Sequence, residues 1–147
     1  MKRIGVLVAL SVGLAFVAYA KGKPSSVMVA ASELKWVDQA GTPGVQVAVV
    51  EGDATKGAHH AFHKFPGGFS APLHHHSSDH YGSVVSGSVT ITPEGMPGKT
   101  LGAGSFFEFH GGMKHTTTCE AGADCILLID CRGKWDVVMA DAKKGAK

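Results

Sequence analysis

The sequence predicts an all-β sandwich or barrel with a single domain, and three observations indicate this class. Short segments of β-forming residues recur along the chain and are separated by turns. Glycine accounts for 20 of 147 residues, which suits a protein with many turns better than a helical bundle. We find no long helical pattern, internal repeat or low-complexity tract, and the length fits one domain.

The first twenty residues are predicted to be a secretory signal peptide. A positive start at Lys2 and Arg3 precedes an apolar run, and Ala18–Tyr19–Ala20 gives the small–x–small pattern that signal peptidase cuts. The alternative is an uncleaved membrane anchor, but the run falls short of the ~20 residues that span a bilayer comfortably. We therefore expect a periplasmic or secreted protein with 1–20 as signal peptide, 21–32 as linker, 33–140 as β-domain and 141–147 as flexible tail.

The β-domain is predicted to consist of short strands in sequence order. Turn residues separate them, as in the Pro93–Gly98 loop and the Gly102–Ala103–Gly104 turn. The predicted strands are 33–37, 45–50, 58–65, 81–86, 88–92, 100–101, 105–109, 115–119, 125–130 and 134–139. A histidine-rich segment between the third and fourth of these is also expected to be extended.

The charge balance argues against polyanionic partners. Loss of Lys2 and Arg3 with the leader reduces the fourteen basic residues to twelve, against twelve acidic residues. These charges are interspersed, so no stripe would follow a nucleic-acid backbone or hold the protein at a membrane surface. A small-molecule partner is expected, and the sequence neither favours nor excludes a homodimer.

Three histidines at even spacing are the most informative feature of the chain. His74, His76 and His80 would point to one face of an extended strand, where their imidazoles can converge. A fourth, His115, follows a glycine-rich turn. Convergent imidazoles suit one divalent transition metal, and ligand identity does not select among Fe, Mn, Ni, Cu and Zn.

Two alternatives to this four-histidine site stay open. The histidines could form a surface cluster without an ion, although such a cluster has no reason to keep same-face spacing. Asp79 could replace an imidazole if the strand register slipped by one residue. In the simple alternation, His75 and Asp79 point outward.

The same residues resemble the two motifs of the cupin family. Cupins carry Gly, five residues, His–x–His, three or four residues, Glu, six residues and Gly, and later Gly, five residues, Pro–x–Gly, two residues, His, three residues and Asn. This chain has Gly68, five residues, His74–x–His76, three residues, His80, six residues and Gly87, and later Gly104, five residues, His110–Gly111–Gly112, two residues, His115, three residues and Cys119. The resemblance implies a double-stranded β-helix, or jelly-roll barrel, around one metal ion.

Three positions depart from the cupin pattern. His80 replaces Glu, His110 replaces Pro and Cys119 replaces Asn. Four-histidine cupins are a minority pattern, so the resemblance implies that His80 is a ligand. Four neutral imidazoles offset none of the ion's charge, which favours anionic or enolate substrates.

The cysteines are interpreted through the expected export. Cys119 and Cys125 flank a polar loop that reads as a hairpin, and a disulfide there is plausible in an oxidising compartment, with two reduced thiols as the alternative. Cys131 is then unpaired, as a small buried residue. If the hairpin forms, Ile129 lies opposite His115 and Cys131 lies close enough to be a pocket residue.

Other histidines are weaker candidates for the chemistry. His59, His60 and His63 share one predicted strand and are interpreted as ordinary strand residues, with His63 as a candidate partner of the metal ligands. His110, in the turn before His115, is the better candidate for such a partner or for an acid–base group, although a structural role is the preferred interpretation there too. Phe107 and Phe109 are expected to pack the barrel wall, where one could line a substrate pocket.

The functional hypothesis is an exported metal-dependent oxidoreductase, of dioxygenase type, that acts on a small organic compound. An octahedral ion with four protein ligands would keep two positions for substrate or dioxygen. The step to oxygenase chemistry rests on what many cupins do. The alternatives are a non-catalytic metal or small-ligand binding module and a Lewis-acid lyase or isomerase.

Overall fold

The computed structural model describes residues 26–140, in which nearly all regular structure is β. A single turn of 3₁₀ helix, Ala31–Glu33, precedes the strands. The strands are β1 Val37–Asp38, β2 Gln46–Gly52, β3 His59–Phe65, β4 Ser70–His75, β5 His80–Ser86, β6 Ser88–Pro93, β7 Lys99–Gly102, β8 Phe106–Phe109, β9 His115–Cys119, β10 Cys125–Cys131 and β11 Val138–Met139. The predicted signal peptide and tail fall outside the described residues.

The strands form two antiparallel sheets packed face to face. One sheet has six strands in the order β1-β2-β3-β10-β5-β8, and the other has five in the order β11-β4-β9-β6-β7. Chain neighbours such as β4 and β5 lie in different sheets, as in a jelly roll. The predicted all-β, single-domain jelly-roll class is confirmed. Across residues 26–140, no helix is long and apolar enough to cross a membrane.

The predicted strands at the two edges of the domain are shorter than expected. At 33–37 the chain forms the end of the 3₁₀ turn and joins the sheet only at Val37. At 134–139 only Val138–Met139 pairs, with β4. The intervening segment 132–137 is a loop that covers the mouth of the barrel. Its backbone bonds to distant loops and not to a strand; for example, the Trp135 backbone amide donates to the Ala54 carbonyl at 2.8 Å.

The predicted hairpin between Cys119 and Cys125 is wrong. Cys119 ends β9 in the five-stranded sheet, whereas Cys125 begins β10 in the six-stranded sheet. The loop therefore crosses between sheets, and Ile129 pairs with Ala61 and Gly82 instead of with His115. The structure joins Cys119 and Cys125 in a disulfide, which ties the two sheets together at this end.

The apolar core fills the same end of the barrel. Val84, Val89 and Leu127 are buried there beside the disulfide. Cys131 is also fully buried and belongs to this cluster, at the end of β10 that approaches the histidines. Towards the opposite end, buried histidines join the apolar side chains in the barrel interior.

Candidate metal centre

Two of the predicted ligands lie at the end of β4 and one at the start of β9. His74 is directly opposite His115 in the β4–β9 pair, and His76 lies one residue beyond β4. All three side chains are buried. One ligand atom from each of these histidines lies within 4.8 Å of the other two, a spacing that one metal ion can bridge.

His80 reaches the same place by a different route from the one expected. It begins β5 in the six-stranded sheet, and so does not share a strand with His74 and His76. The chain turns at 77–79 and crosses between the sheets, which brings the imidazole back over the cavity. The His80 ring centroid is 4.7 Å from that of His76 and 6.0 Å from that of His115. His80 is outside the three-atom group and lines the same cavity.

Backbone carbonyl groups fix the orientation of all four imidazoles. Each Nδ1–H donates to one carbonyl oxygen, and a carbonyl can only accept. The pairs are His74 with Pro72 at 2.7 Å, His76 with Asp136 at 2.5 Å, His80 with Ser78 at 3.3 Å and His115 with Met113 at 3.1 Å. This leaves every Nε2 unprotonated, with its lone pair free, which is the arrangement that metal-binding histidines require.

The four imidazoles are neutral at physiological pH. Burial lowers the pKa of His76 to about 3 and that of His115 to about 4, and neighbouring imidazoles add to the effect. Burial also lowers the pKa values of His74 and His80. A cation can therefore bind without displacing protons from these rings. The donor set fits a transition metal, since imidazole nitrogen suits Fe, Mn, Ni, Cu and Zn.

The histidines open into a cavity of about 60 Å³ between the sheets. Its walls are mainly apolar, with aromatic rings at Phe65, Phe69 and Phe107. Phe109 does not line it and instead stacks on His115, at 4.2 Å between centroids. Phe107 is therefore part of the cavity wall, whereas Phe109 packs against the ring of His115 from outside the cavity.

Trp135 is a residue of the candidate site that sequence reasoning missed. Its ring packs on His76 at 4.1 Å and on His63 at 4.6 Å between centroids, and its Nε1 is buried without a hydrogen-bond partner. The side chain of Asp136 anchors this loop by accepting from the Ser77 amide at 2.8 Å and from its hydroxyl at 2.7 Å. The available signal was a lone large aromatic residue within an otherwise polar segment.

The histidines of β3 divide between the two faces of the sheet. His59 and His63 are buried on the inner face, whereas His60 lies outside beside Glu51 and Asp130. His63 lines the cavity, and burial lowers its pKa to about 3. The Nε2 atoms of His59 and His63 have no hydrogen-bond partner among the described residues. His63 is thus a neutral residue beside the four candidate metal ligands, in the position that the sequence suggested for it.

His110 does not belong to the cavity. Strand alternation points Phe109 inward and His110 outward, where its side chain is 63% exposed. The imidazole lies 3.5 Å from Asp79 and 3.4 Å from Glu108. Asp79 is also outside, where its carboxylate accepts from the Gly111 amide at 2.7 Å. His110 and Asp79 therefore both lie outside the cavity that the histidines line. Cys131 likewise does not line the cavity.

Comparison with solved structures identifies the fold. The polyketide cyclase RemF from Streptomyces resistomycificus is similar over 82% of this chain and 89% of its own, with 16% identity and a TM-score of 0.67. An RmlC-like cupin protein from Ralstonia eutropha matches over 83% and 78%, with 21% identity and a TM-score of 0.65. An oxalate oxidase matches over 70% and 59%, with 17% identity and a TM-score of 0.56. At these identities the likeness shows the fold alone, which is the cupin double-stranded β-helix.

The family follows from the sequence itself. Residues 19–138 match the model described as a domain of unknown function, DUF4437, and the chain belongs to this family. A search of curated proteins gave no significant match. The chemistry therefore has to be argued from the site.

Proposed function

We propose that the protein binds one divalent transition metal through His74, His76, His80 and His115 and oxidises a small organic compound in a dioxygenase-like reaction. The observation that carries this proposal is the set of four Nδ1–H hydrogen bonds to backbone carbonyl groups. These bonds aim the unprotonated Nε2 atoms of four buried rings at one cavity. Free Nε2 lone pairs that face one space are the arrangement that metal-binding histidines require.

A bound iron or manganese would supply redox chemistry, and any of the candidate ions would polarise a coordinated oxygen. The protein residues hold the ligand rings, exclude water and shape the space beside them. Because no carboxylate belongs to the ligand set, the ion's positive charge remains available to an anionic or enolate oxygen of the substrate.

The cavity wall favours a redox reaction over proton transfer. Among the described residues that line it there is no Asp, Glu, Lys or Arg. His63 is the remaining titratable neighbour, and with a pKa of about 3 it is a weak base. A lyase or isomerase would need a stronger proton acceptor, so the Lewis-acid alternative has less support than an oxidoreductase.

The second candidate function is a non-catalytic metal or small-ligand binding module. The same lack of a strong acid or base favours it, because binding alone needs neither group. The signal-peptide pattern and the disulfide support export in both cases, so we propose that the protein works in the periplasm or outside the cell.

The test is elemental analysis of untagged protein purified from the periplasm, alongside a His74→Ala/His76→Ala variant. We expect about one equivalent of transition metal in the wild type and its loss in the variant. His75→Ala is the matched control, because His75 lies between the two ligands and pairs with Val138 on the opposite face of β4. Iron, manganese or nickel would lead to an oxygen-consumption screen.

Zinc or copper at the same stoichiometry would favour Lewis-acid chemistry or metal handling. No metal in either protein, and none taken up on reconstitution, would contradict the proposal. Retention of the metal in the double variant would show that the ion binds elsewhere.

A further inference from the structure

We infer that the substrate is an organic molecule with a neutral, mainly apolar body and an oxygen-bearing head. The head enters the histidine cavity, and the apolar body lies in an open cleft between the two sheets. This inference rests on the proposed function, since it names the substrate class of the same site. The cleft itself is a binding feature that needs no metal.

The cleft is continuous with the metal cavity. It has a volume of about 680 Å³, against about 60 Å³ for the inner cavity. The shared walls are Gln39, Thr42, Phe69, Ala71, His74, Trp135 and Val137. A volume of about 60 Å³ is room for a small head group. The cleft falls within the ~300–1,000 Å³ range of ordinary ligand pockets and can hold a larger body.

Strand register shows that the cleft is an unfilled part of the barrel interior. Val47 pairs with His63, and Val49 pairs with Ala61, so both valines face the interior like their buried partners. Val37 pairs with Val47 and shares that face. From the other sheet, Met139 pairs with His74.

These interior-facing side chains are nevertheless exposed. Val37 is 61%, Val49 is 42% and Met139 is 52% exposed, because the edge strands β1 and β11 do not close over the gap. Apolar side chains at interior positions that no other residue of 26–140 covers indicate a surface that binds an apolar ligand. These apolar side chains line the passage to the histidines. The molecule that they bind is therefore the substrate, whose head reaches the metal.

The charges around the cleft favour a neutral body. No Lys or Arg is among its described lining residues, so an anionic body would find no counter-charge. The two carboxylates present already have partners, since Asp136 accepts from Ser77 and Asp38 accepts from the side-chain Nε2 of Gln46 at 3.2 Å. Both carboxylates are therefore engaged in hydrogen bonds within the protein.

Gln39 supplies a polar group where the cleft meets the cavity. Its Nε2 donates to the Thr42 hydroxyl at 2.9 Å, and its Oε1 is buried without a partner. A buried acceptor of this kind favours a ligand with a hydrogen-bond donor at that point. The head is therefore expected to carry a hydroxyl or N–H group as well as the atoms that bind the metal.

The first test uses N-phenyl-1-naphthylamine, a neutral apolar fluorophore, with protein stripped of metal by a chelator. We expect saturable binding by the wild type and a loss of about tenfold or more in affinity for Val49→Asp, which places a charge against the apolar probe. Val85→Asp is the matched control, since Val85 is similarly exposed, at 48%, but lies away from the cleft. Val37→Asp provides a second cleft variant if Val49→Asp does not fold.

The second test compares catechol with 4-hexylcatechol on the metal-loaded protein. The hexyl chain is expected to tighten binding at least tenfold in the wild type and in Val85→Asp, and much less in Val49→Asp. The inference is overturned if the wild type does not bind the fluorophore, or if Val49→Asp and Val85→Asp bind it equally. A dimer by light scattering that Val49→Asp converts to a monomer would also overturn it, because a second copy would then fill the cleft.

Failure of the metal proposal gives a different pattern. In that case the stripped protein still binds the fluorophore, while elemental analysis finds no ion and catechol does not bind.

Discussion

Strand β9 runs from the histidine end of the barrel to the disulfide end, and the two ends contribute differently to stability and to chemistry. Its inward residues run from His115, in the imidazole cluster, through Thr117 to Cys119 in the disulfide. At the disulfide end, burial of apolar side chains stabilises the fold directly. At the histidine end, each buried ring loses hydration and recovers one hydrogen bond from a backbone carbonyl. Stability and chemistry are thus separated along one short strand.

The separation implies that the histidine end is destabilising until an ion binds. A ring whose Nδ1 is bonded still has an Nε2 lone pair facing other Nε2 lone pairs across the cavity. Binding of a cation converts this into a favourable arrangement and stabilises the native state by mass action. We therefore expect substitutions at the histidine end to change metal affinity, and substitutions at the disulfide end to change stability without changing metal affinity.

The largest expected effect is loss of the metal from His115→Ala. Removal of an outer partner of a metal ligand costs ~10–100-fold in affinity, and removal of the ligand itself should cost more than 100-fold. Competition against a metal-sensitive dye would measure the affinity. A variant that binds the ion as tightly as the wild type would show that His115 is not a ligand.

The pH dependence of stability should come from the histidine end. For His63, His76 and His115 the folded pKa is about 3 to 4, below the unfolded value of 6.5. Between these values the unfolded chain binds more protons than the native state, so stability falls as the pH is lowered from about 6.5 towards 4. Each such histidine contributes a slope of about 1.4 kcal/mol per pH unit.

Urea unfolding of metal-free protein at pH 7 and pH 5 would measure this change. His63→Gln should flatten the slope, because it removes one of the shifted groups. A free energy of unfolding that is equal at the two pH values would contradict the assignment of neutral buried rings.

Loss of the disulfide should lower the stability of the fold and leave metal affinity unchanged. Cys119 and Cys125 are six residues apart, and closing so short a loop stabilises a protein by about 2 kcal/mol in the chain-entropy model. The Cys119→Ala/Cys125→Ala variant should unfold at lower urea concentration and keep its metal affinity. A marked loss of affinity would show that the two ends are coupled along β9.

Much of this comparison was predictable from local pattern. Turn residues and short β-forming segments predicted the strands, and alternation predicted that His74 and His76 share a face. The path to His80 was not predictable in this way, because even spacing does not reveal that the chain turns at 77–79 and enters the other sheet. The spacing suggested His80 as a ligand by assuming one continuous strand.

The errors share a physical cause, which is that loops look alike in sequence whichever strands they join. The loop 120–124 is as short and polar as a hairpin loop, yet it connects two sheets. The place of Trp135 depends on hydrogen bonds of Asp136 to Ser77 and to the His76 ring. Those contacts are formed only after distant segments meet, so no local pattern encodes them.

The smallest effect is expected from His110→Asn, at a position that the motif pattern made a candidate for chemistry. Its side chain is 63% exposed and interacts with Asp79 and Glu108 across 3.5 and 3.4 Å. Exposed pairs of this kind contribute ~0–1 kcal/mol, so stability should change little and metal affinity should not change. Urea unfolding and dye competition would measure both quantities. A loss of metal affinity would mean that the outer face of this turn supports the ligand cluster, and that chemistry is not confined to the barrel interior.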